Sequence, residues 1–268
     1  MKLNGISNPI LISSNSFTDG KDAVKNCLSI GVGGVVTKTI YIGNISKSSS
    51  EKIYIVGNNV YNSCLFSRFS GASWLHWFKH DFRNNQNIIP SLYGENYNYV
   101  YEYIEELVSL GVNKIEIGIS CPSYERGFSF DHCCTLIEKI KAKYNIQVLV
   151  KLCVSEDIVQ RIKELAYVNI DGITLSDSIQ EKVYWENVLY EMGGSGAKIK
   201  PMVTKSISKV RELFPNLIIL GVGGIQSVQD ISDYFSIGCN YVQLCSVLYV
   251  FGIKHTKKII LDYLNLEK

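Results

Sequence analysis

The chain has 268 residues, 46% of them hydrophobic and 19% charged, with a formal net charge of +2. That length sustains one well-buried core but not two comfortable domains. Basic and acidic residues are mixed along the chain and no apolar run suits a signal peptide or a membrane span, so neither a nucleic acid nor a membrane is an expected partner and a cytoplasmic location is expected.

Taken in chain order, short β-branched runs alternate with segments of helical periodicity. The runs cover 9–14, 34–39, 88–92, 114–119, 148–152, 172–175, 216–220 and 241–244, and most are nearly continuous apolar stretches such as Val148-Leu149-Val150. That pattern suits parallel strands covered on both faces. Between them, 97–110 carries Val100, Ile104, Leu107 and Val108 on one stripe, and 155–167 opens Ser155-Glu156-Asp157, which predicts Ser155 as an N-cap. Eight alternations predict an α/β fold of the (β/α)8 TIM-barrel type filling residues 1–268 as a single domain; a flavodoxin-like sheet would leave about three strands unexplained.

Two stretches break the rhythm. Residues 41–69 are rich in Ser and Asn and then aromatic, and 180–196 carry Tyr184, Trp185, Tyr190 and Gly193-Gly194-Ser195-Gly196. Both follow barrel strands, so both are expected as loop insertions at the C-terminal mouth, forming a lid or substrate wall.

The seventh strand ends in Gly221-Val222-Gly223-Gly224, with a helix predicted to start near Ser227, and the eighth runs into Cys245-Ser246. Glycines there allow close backbone approach, and barrels often hold phosphate between these two loops. Lys38 and Lys151 lie within apolar strands at matching depth, where burial is costly without an anion or electron-rich partner; a shared anionic ligand is expected. The eight cysteines (Cys27, Cys64, Cys121, Cys133, Cys134, Cys153, Cys239 and Cys245) form no Cys-x-x-Cys pair, which argues against a zinc knuckle or an iron–sulfur cluster. Most are expected to be free thiols acting as small apolar groups. Cys121 is the exception: it stands at a strand mouth directly before Pro122, placed for access rather than packing. His76, His80 and Asp81 fall on a Trp-rich helical stretch, 74–82, where an amphipathic outer helix or a homodimer contact fits better than a metal, and no metal is expected.

Several motifs in order resemble the class 1 dihydroorotate dehydrogenases and the related FMN domain of dihydropyrimidine dehydrogenase. They are Asn8-Pro9-Ile10-Leu11-Ile12-Ser13-Ser14, Val36-Thr37-Lys38-Thr39, Ser91-Leu92-Tyr93-Gly94 and Ile115-Glu116-Ile117-Gly118-Ile119-Ser120-Cys121-Pro122, followed by Val150-Lys151-Leu152, Asp171-Gly172-Ile173-Thr174-Leu175, the run 193–201 and Gly221-Val222-Gly223-Gly224-Ile225. The resemblance implies FMN as cofactor, its phosphate on the amides of Gly223, Gly224, Cys245 and Ser246, with Gly196 alongside. It places Ser13, Ser14, Lys38, Thr39 and Lys151 beside the flavin. It also implies Cys121 as the acid/base for a CH–CH bond next to the carbonyl of a small, pyrimidine-like substrate, held by Asn62, Ser123, Asp177 and Ser178. Where the family carries asparagines, this chain has Gly118, Ser123 and Asp177, and Cys64-Leu65-Phe66-Ser67-Arg68 stands in for a Met-Gly-Leu-Pro-Asn-like stretch, with Arg68 open to a substrate carboxylate or ring. The expected substrate is therefore altered from dihydroorotate. Two other readings stand beside this one: a tRNA-dihydrouridine-synthase-like reductase, which calls for a basic surface, and a barrel that binds flavin or phosphate without catalysis.

Overall fold

Fully buried β-branched runs pair most readily with one another, and helices then cover the outer face they leave. The computed structural model describes residues 2–43, 51–83, 85–119 and 129–267. Its strands are β1 Ile10–Ile12, β2 Gly34–Val36, β3 Ile40–Ile42, β4 Ile53–Val56, β5 Asn59–Asn62, β6 Ile88–Ile89, β7 Ser91–Gly94, β8 Lys114–Gly118, β9 Gln147–Leu152, β10 Gly172–Leu175, β11 Ile179–Trp185, β12 Val188–Gly196, β13 Ile218–Val222 and β14 Tyr241–Leu244. Ten of them form one parallel sheet in the order β3-β7-β8-β9-β10-β13-β14-β1-β2-β6. That order laps itself. β2 and β3 belong to one chain segment, and β6 and β7 to another that Pro90 interrupts because it has no N–H for the ladder. Val35 pairs with Ile88 near the bottom and Ile40 with Leu92 near the top, so the sheet closes as an eight-stranded TIM barrel.

Helices follow the strands around the outside, among them Lys21–Leu28, Gly71–His80, Tyr97–Ser109, Phe130–Lys143, Ile158–Tyr167, Lys200–Leu213, Val228–Ser236 and Gly252–Leu266. Outward strand residues such as Ile10, Val35, Ile115 and Ile173 are fully buried against helix residues such as Ile104, Leu136 and Ile162, each contributing about 1.5–3 kcal/mol by burial. Gly71–His80 is an amphipathic outer helix, with Trp74 and Phe78 buried. Two of the predicted boundaries that move have a visible cause. The helix expected from Ser155 begins at Ile158, because the Ser155 carbonyl accepts from Ile158 N in a turn (3.3 Å) and the Asp157 carboxylate is taken by Arg161. The strand expected from 216 begins at Ile218, because Leu217 N bonds back to Phe214 O.

Inside the barrel, side chains alternate with a period of two, and the layers differ in chemistry. The lower layer is apolar: Leu11, Val36, Ile89, Leu149, Ile218, Leu220 and Tyr241 cluster with Leu3, whose backbone N–H donates to the Tyr241 hydroxyl and closes the bottom. Two residues further along β1, β9 and β14, and along the segment that carries β2, the same inward direction gives Ser13, Lys151, Gln243 and Lys38, all of which line a cavity at the mouth.

Among the described residues, the two insertions contain strands. β4 and β5 form a hairpin, β11 and β12 another, and the two join as an antiparallel sheet in the order β11-β12-β5-β4. Gly193 pairs with Asn62 and Gly196 with Asn59. The long hairpin turns at Glu186-Asn187, both with positive φ (47° and 63°), as a tight two-residue hairpin requires.

Candidate functional site

The cavity, with about 1090 Å³ of open space including its solvent-facing mouth, opens at the C-terminal ends of the barrel strands and is walled on one side by Val60, Asn62, Ser195 and Gly196 of the second sheet. It brings together most of the residues expected from the sequence: Ser13, Ser14, Lys38, Thr39, Lys151, Gly196, Gly223, Gly224, Cys245 and Ser246, with Asn62, Asp177 and Ser178. Cys121 and Ser123 lie outside the described residues.

At one end, Gly223 and Gly224 turn with φ of 136° and 70°, conformations that L side chains rarely adopt. A Cβ on Gly224 would stand 2.7 Å from the Gly196 carbonyl oxygen, so the two loops meet this closely only because residue 224 is glycine. The backbone N–H groups of Gly223, Gly224, Cys245 and Ser246 have no acceptor among the described residues. Four such donors at one end of a cavity make a place for oxyanions.

The floor is a connected polar layer. Ser14 Oγ meets Thr39 Oγ1 (3.1 Å), which meets Ser91 Oγ (3.2 Å), and Ser91 donates to Glu116 Oε1 (3.1 Å). Thr174 Oγ1 donates to Glu116 Oε2 (2.6 Å), and Gln243 Nε2 reaches Thr174 Oγ1 (3.2 Å). Glu116 is fully buried, and these donors are what keep its carboxylate tolerable there. Gln243 turns its amide nitrogen to that carboxylate, and its Oε1, buried, has no partner among the described residues.

The two lysines differ. Lys151 Nζ lies 3.3 Å from Asp177 Oδ1. Burial alone would lower its pKa, but the carboxylates of Asp177 and Glu116 outweigh that and hold it above the ordinary lysine value. The Lys38 backbone N–H donates to Thr18 O (3.0 Å), but the ammonium of this residue, only 9% exposed, makes no hydrogen bond or ion pair among the described residues. Burial pushes the Cys245 thiol up to about 11 against the opposing charges of Lys151 and Lys38, so it stays protonated at neutral pH. Burial also raises the Cys64 thiol, with Lys38 opposing.

Asn62 is partly committed to the backbone: its Nδ2 donates to Gly193 O (3.3 Å) and its Oδ1 accepts from Cys64 N (3.2 Å), leaving one donor and one lone pair. Ser178 N donates to Asp177 Oδ1 (2.8 Å), which fixes that carboxylate. Arg68 lines no part of the cavity; it pairs with Asp19 (3.4 Å) and lies over the Phe69 ring. Asp81 pairs with Lys21 and Lys25 rather than joining His76 and His80, whose rings lie 4.6 Å apart at a 44° tilt. The sequence reading missed Glu116, Ser91, Thr174 and Gln243 as parts of the site. Their signal was the same inward step of two that marks Lys38 and Lys151.

A closed parallel barrel with a polar cavity at its C-terminal mouth, carrying two buried lysines and a set of unspent amides, is the architecture of a barrel enzyme. A profile of the dihydroorotate dehydrogenase family matches residues 2–265, and the chain belongs to that family. It is 23% identical over 257 residues to the dihydroorotate dehydrogenase B (NAD(+)) catalytic subunit of Archaeoglobus fulgidus, covering 91% of this chain and 85% of that one. To the corresponding subunit of Thermoplasma volcanium it is 26% identical, covering 91% and 84%. To the dihydroorotate dehydrogenase A (fumarate) of Lactobacillus delbrueckii subsp. bulgaricus it is 27% identical, covering 90% and 84%. The chain is thus a divergent, dihydroorotate dehydrogenase-like oxidoreductase, of a family of FMN-using flavoproteins that act on CH–CH bonds. Among the described residues, no helix is long and apolar enough to cross a membrane.

Proposed function

We propose that the cavity binds FMN and that the protein interconverts a CH–CH and a C=C bond next to a carbonyl, with Cys121 as the acid/base and a substrate other than dihydroorotate. The observation that carries the reading is the set of unspent polar groups lining one cavity: Lys38 Nζ and four backbone amides as donors, Gln243 Oε1 as acceptor. Their chemistry fits FMN, which needs donors for a phosphate and both donors and an acceptor for the pyrimidine edge of its ring.

In this reading the amides of Gly223, Gly224, Cys245 and Ser246 hold the phosphate. Lys38 and Lys151 face the ring, with Ser13, Ser14, Thr39 and Gly196 beside them. When bound, FMN supplies the two-electron hydride chemistry. The chain supplies orientation and the proton. Cys121 exchanges a proton with the carbon beside the substrate carbonyl; a thiol near its ordinary pKa of about 8.5 needs close positioning to do so at neutral pH. Asn62, Ser123, Asp177 and Ser178 orient the substrate, and the second sheet keeps water from one side of the cavity.

The test is an absorption spectrum of the purified protein, followed by Cys121→Ser. The expected result is bound FMN in both proteins, with substrate-driven flavin reduction slowed at least about a hundredfold in the variant. Protein that stays colourless after incubation with FMN refutes the cofactor. An unslowed variant refutes the role of Cys121.

A further inference from the structure

We infer that Gln226 is a positioning residue that links the oxyanion end of the cavity to the second sheet, so that a phosphate group seated there tightens the β4–β5 hairpin over the barrel mouth. The inference rests on the reading above that the amides of Gly223 and Gly224 hold a phosphate, and it names what that occupancy does elsewhere in the chain.

Gln226 stands two residues beyond Gly224 and is buried. Three elements hold it. Its backbone N–H donates to Asp230 Oδ2 (2.9 Å), on a carboxylate that also accepts from Ser227 Oγ (2.8 Å) and pairs with Lys200. Its carbonyl accepts from His255 Nε2 (3.3 Å), on the helix Gly252–Leu266. Its side-chain Nε2 reaches across to the turn of the β4–β5 hairpin and donates to Asn58 O (2.8 Å).

That turn is the two-residue pair Gly57-Asn58, with Gly57 at a φ of 56°. Ile55, Val56, Gly57 and Asn58 are all exposed, so the tip gains little from burial and is secured by hydrogen bonds. Ala197 N donates to the same Asn58 O (3.1 Å), and Lys198 N donates to Asn59 Oδ1 (2.9 Å). No side chain separates the layers. A Cβ on Gly196 would stand 2.4 Å from Asn58 O, and one on Gly224 would stand 2.7 Å from Gly196 O. The hairpin tip, residue 196 and the Gly223-Gly224 turn thus lie backbone against backbone, and Gln226 spans them. From the tip, β5 runs on to Val60 and Asn62 at the cavity wall.

Two successive glycines lose more freedom on ordering than any other pair of residues, so the turn at 223 and 224 is costly to hold still. A phosphate that gathers their amides supplies that ordering. Gln226, two residues on, then meets Asn58 O with less entropy left to lose. The reverse holds equally: a hairpin anchored on Gln226 steadies the turn that receives the phosphate. Linkage makes the two effects the same size.

The test is hydrogen exchange of residues 53–62 in the full chain, read by mass spectrometry without ligand and with saturating inorganic phosphate, riboflavin or FMN. Retained flavin is measured first. Riboflavin carries the ring of FMN without its phosphate. Exchange should slow about fivefold or more with phosphate relative to no ligand, and with FMN relative to riboflavin. Gln226→Met keeps the length of the side chain and removes the donor. It should cut both differences below about twofold and weaken FMN about fivefold while leaving riboflavin affinity unchanged. A merely structural defect would weaken the two flavins alike. Flavin that is not retained counts against the cofactor reading alone, because inorganic phosphate still tests the link. Exchange that is the same with inorganic phosphate as without ligand overturns the inference, and so does a Gln226→Met protein that keeps the wild-type differences. If that variant fails to fold, the wild-type comparisons decide the matter.

Discussion

Thr174→Val removes one hydroxyl from the floor of the cavity and almost no volume, so its effect isolates a single hydrogen bond. That hydroxyl donates to the buried Glu116 carboxylate at 2.6 Å and accepts from Gln243 Nε2 at 3.2 Å. A hydrogen bond to a charged group contributes about 1.5–3 kcal/mol, and the loss of the Gln243 contact pushes the expected cost to about 2–3 kcal/mol. Glu116 keeps Ser91 as a donor at 3.1 Å, which holds the cost below that of an unpartnered buried charge. Equilibrium urea unfolding measures it: the midpoint should fall with an unchanged slope, and the melting temperature should drop by about 4–12 °C. In a Glu116→Gln background, where the acceptor is neutral, the same substitution should cost about 1 kcal/mol less. A loss below about 0.5 kcal/mol in the wild-type background would refute the claim that the layer is held together by that carboxylate.

Lys38→Met removes a buried ammonium with no hydrogen-bond or ion-pair partner among the described residues, so the flavin-free protein should melt at the same temperature or higher while FMN affinity falls about tenfold or more; loss of stability in the flavin-free protein would argue against a ligand-facing lysine. Gly224→Ala puts a Cβ 2.7 Å from Gly196 O at a φ of +70°, and should cost about 1–3 kcal/mol in urea unfolding and weaken FMN together. Burial lowers the pKa of Lys114 to about 8. Among the described residues, its Nζ finds only Gln86 O and Asn113 Oδ1. Because the unfolded lysine keeps its proton to about pH 10.4, the cost of burying the charge is fully present below about pH 8 and is relieved as the pH rises above it. Wild-type stability relative to Lys114→Met should therefore rise by about 2–3 kcal/mol between pH 8 and 10, and a flat difference across that window would contradict the burial argument.

The barrel was legible because its strands are covered on both faces, and runs such as Val148-Leu149-Val150 satisfy few other structures. Lys38 and Lys151 were legible because a charge inside such a run needs a reason. The second sheet was not. β5 and β12 come from distant parts of the chain and meet with Asn62 opposite Gly193, and Glu186-Asn187 lacks the glycine that usually marks a tight hairpin. Glu116, Thr174 and Gln243 each look like an isolated polar residue in a strand. The inward step of two marks them as barrel-lining, but their joint role depends on closure, which sets three strands facing one another across the barrel axis. Asn62 was legible as a cavity residue, but the backbone bonds that take up half of its amide were not.

The joined hairpins also impose an order of events on a chain being synthesised. Residues of β4 and β5 leave the ribosome well before those of β12, with the barrel segments that carry β6 to β10 made in between. Throughout that interval β5 has β4 on one side and an open edge on the other, with Ile53, Ile55 and Val56 exposed nearby even in the finished fold. An unpaired edge of this kind invites another chain. The hairpin is kept short, with a two-residue turn and Asn, Ser and Lys at its flanks, which limits what a stranger can pair with until its true neighbour arrives.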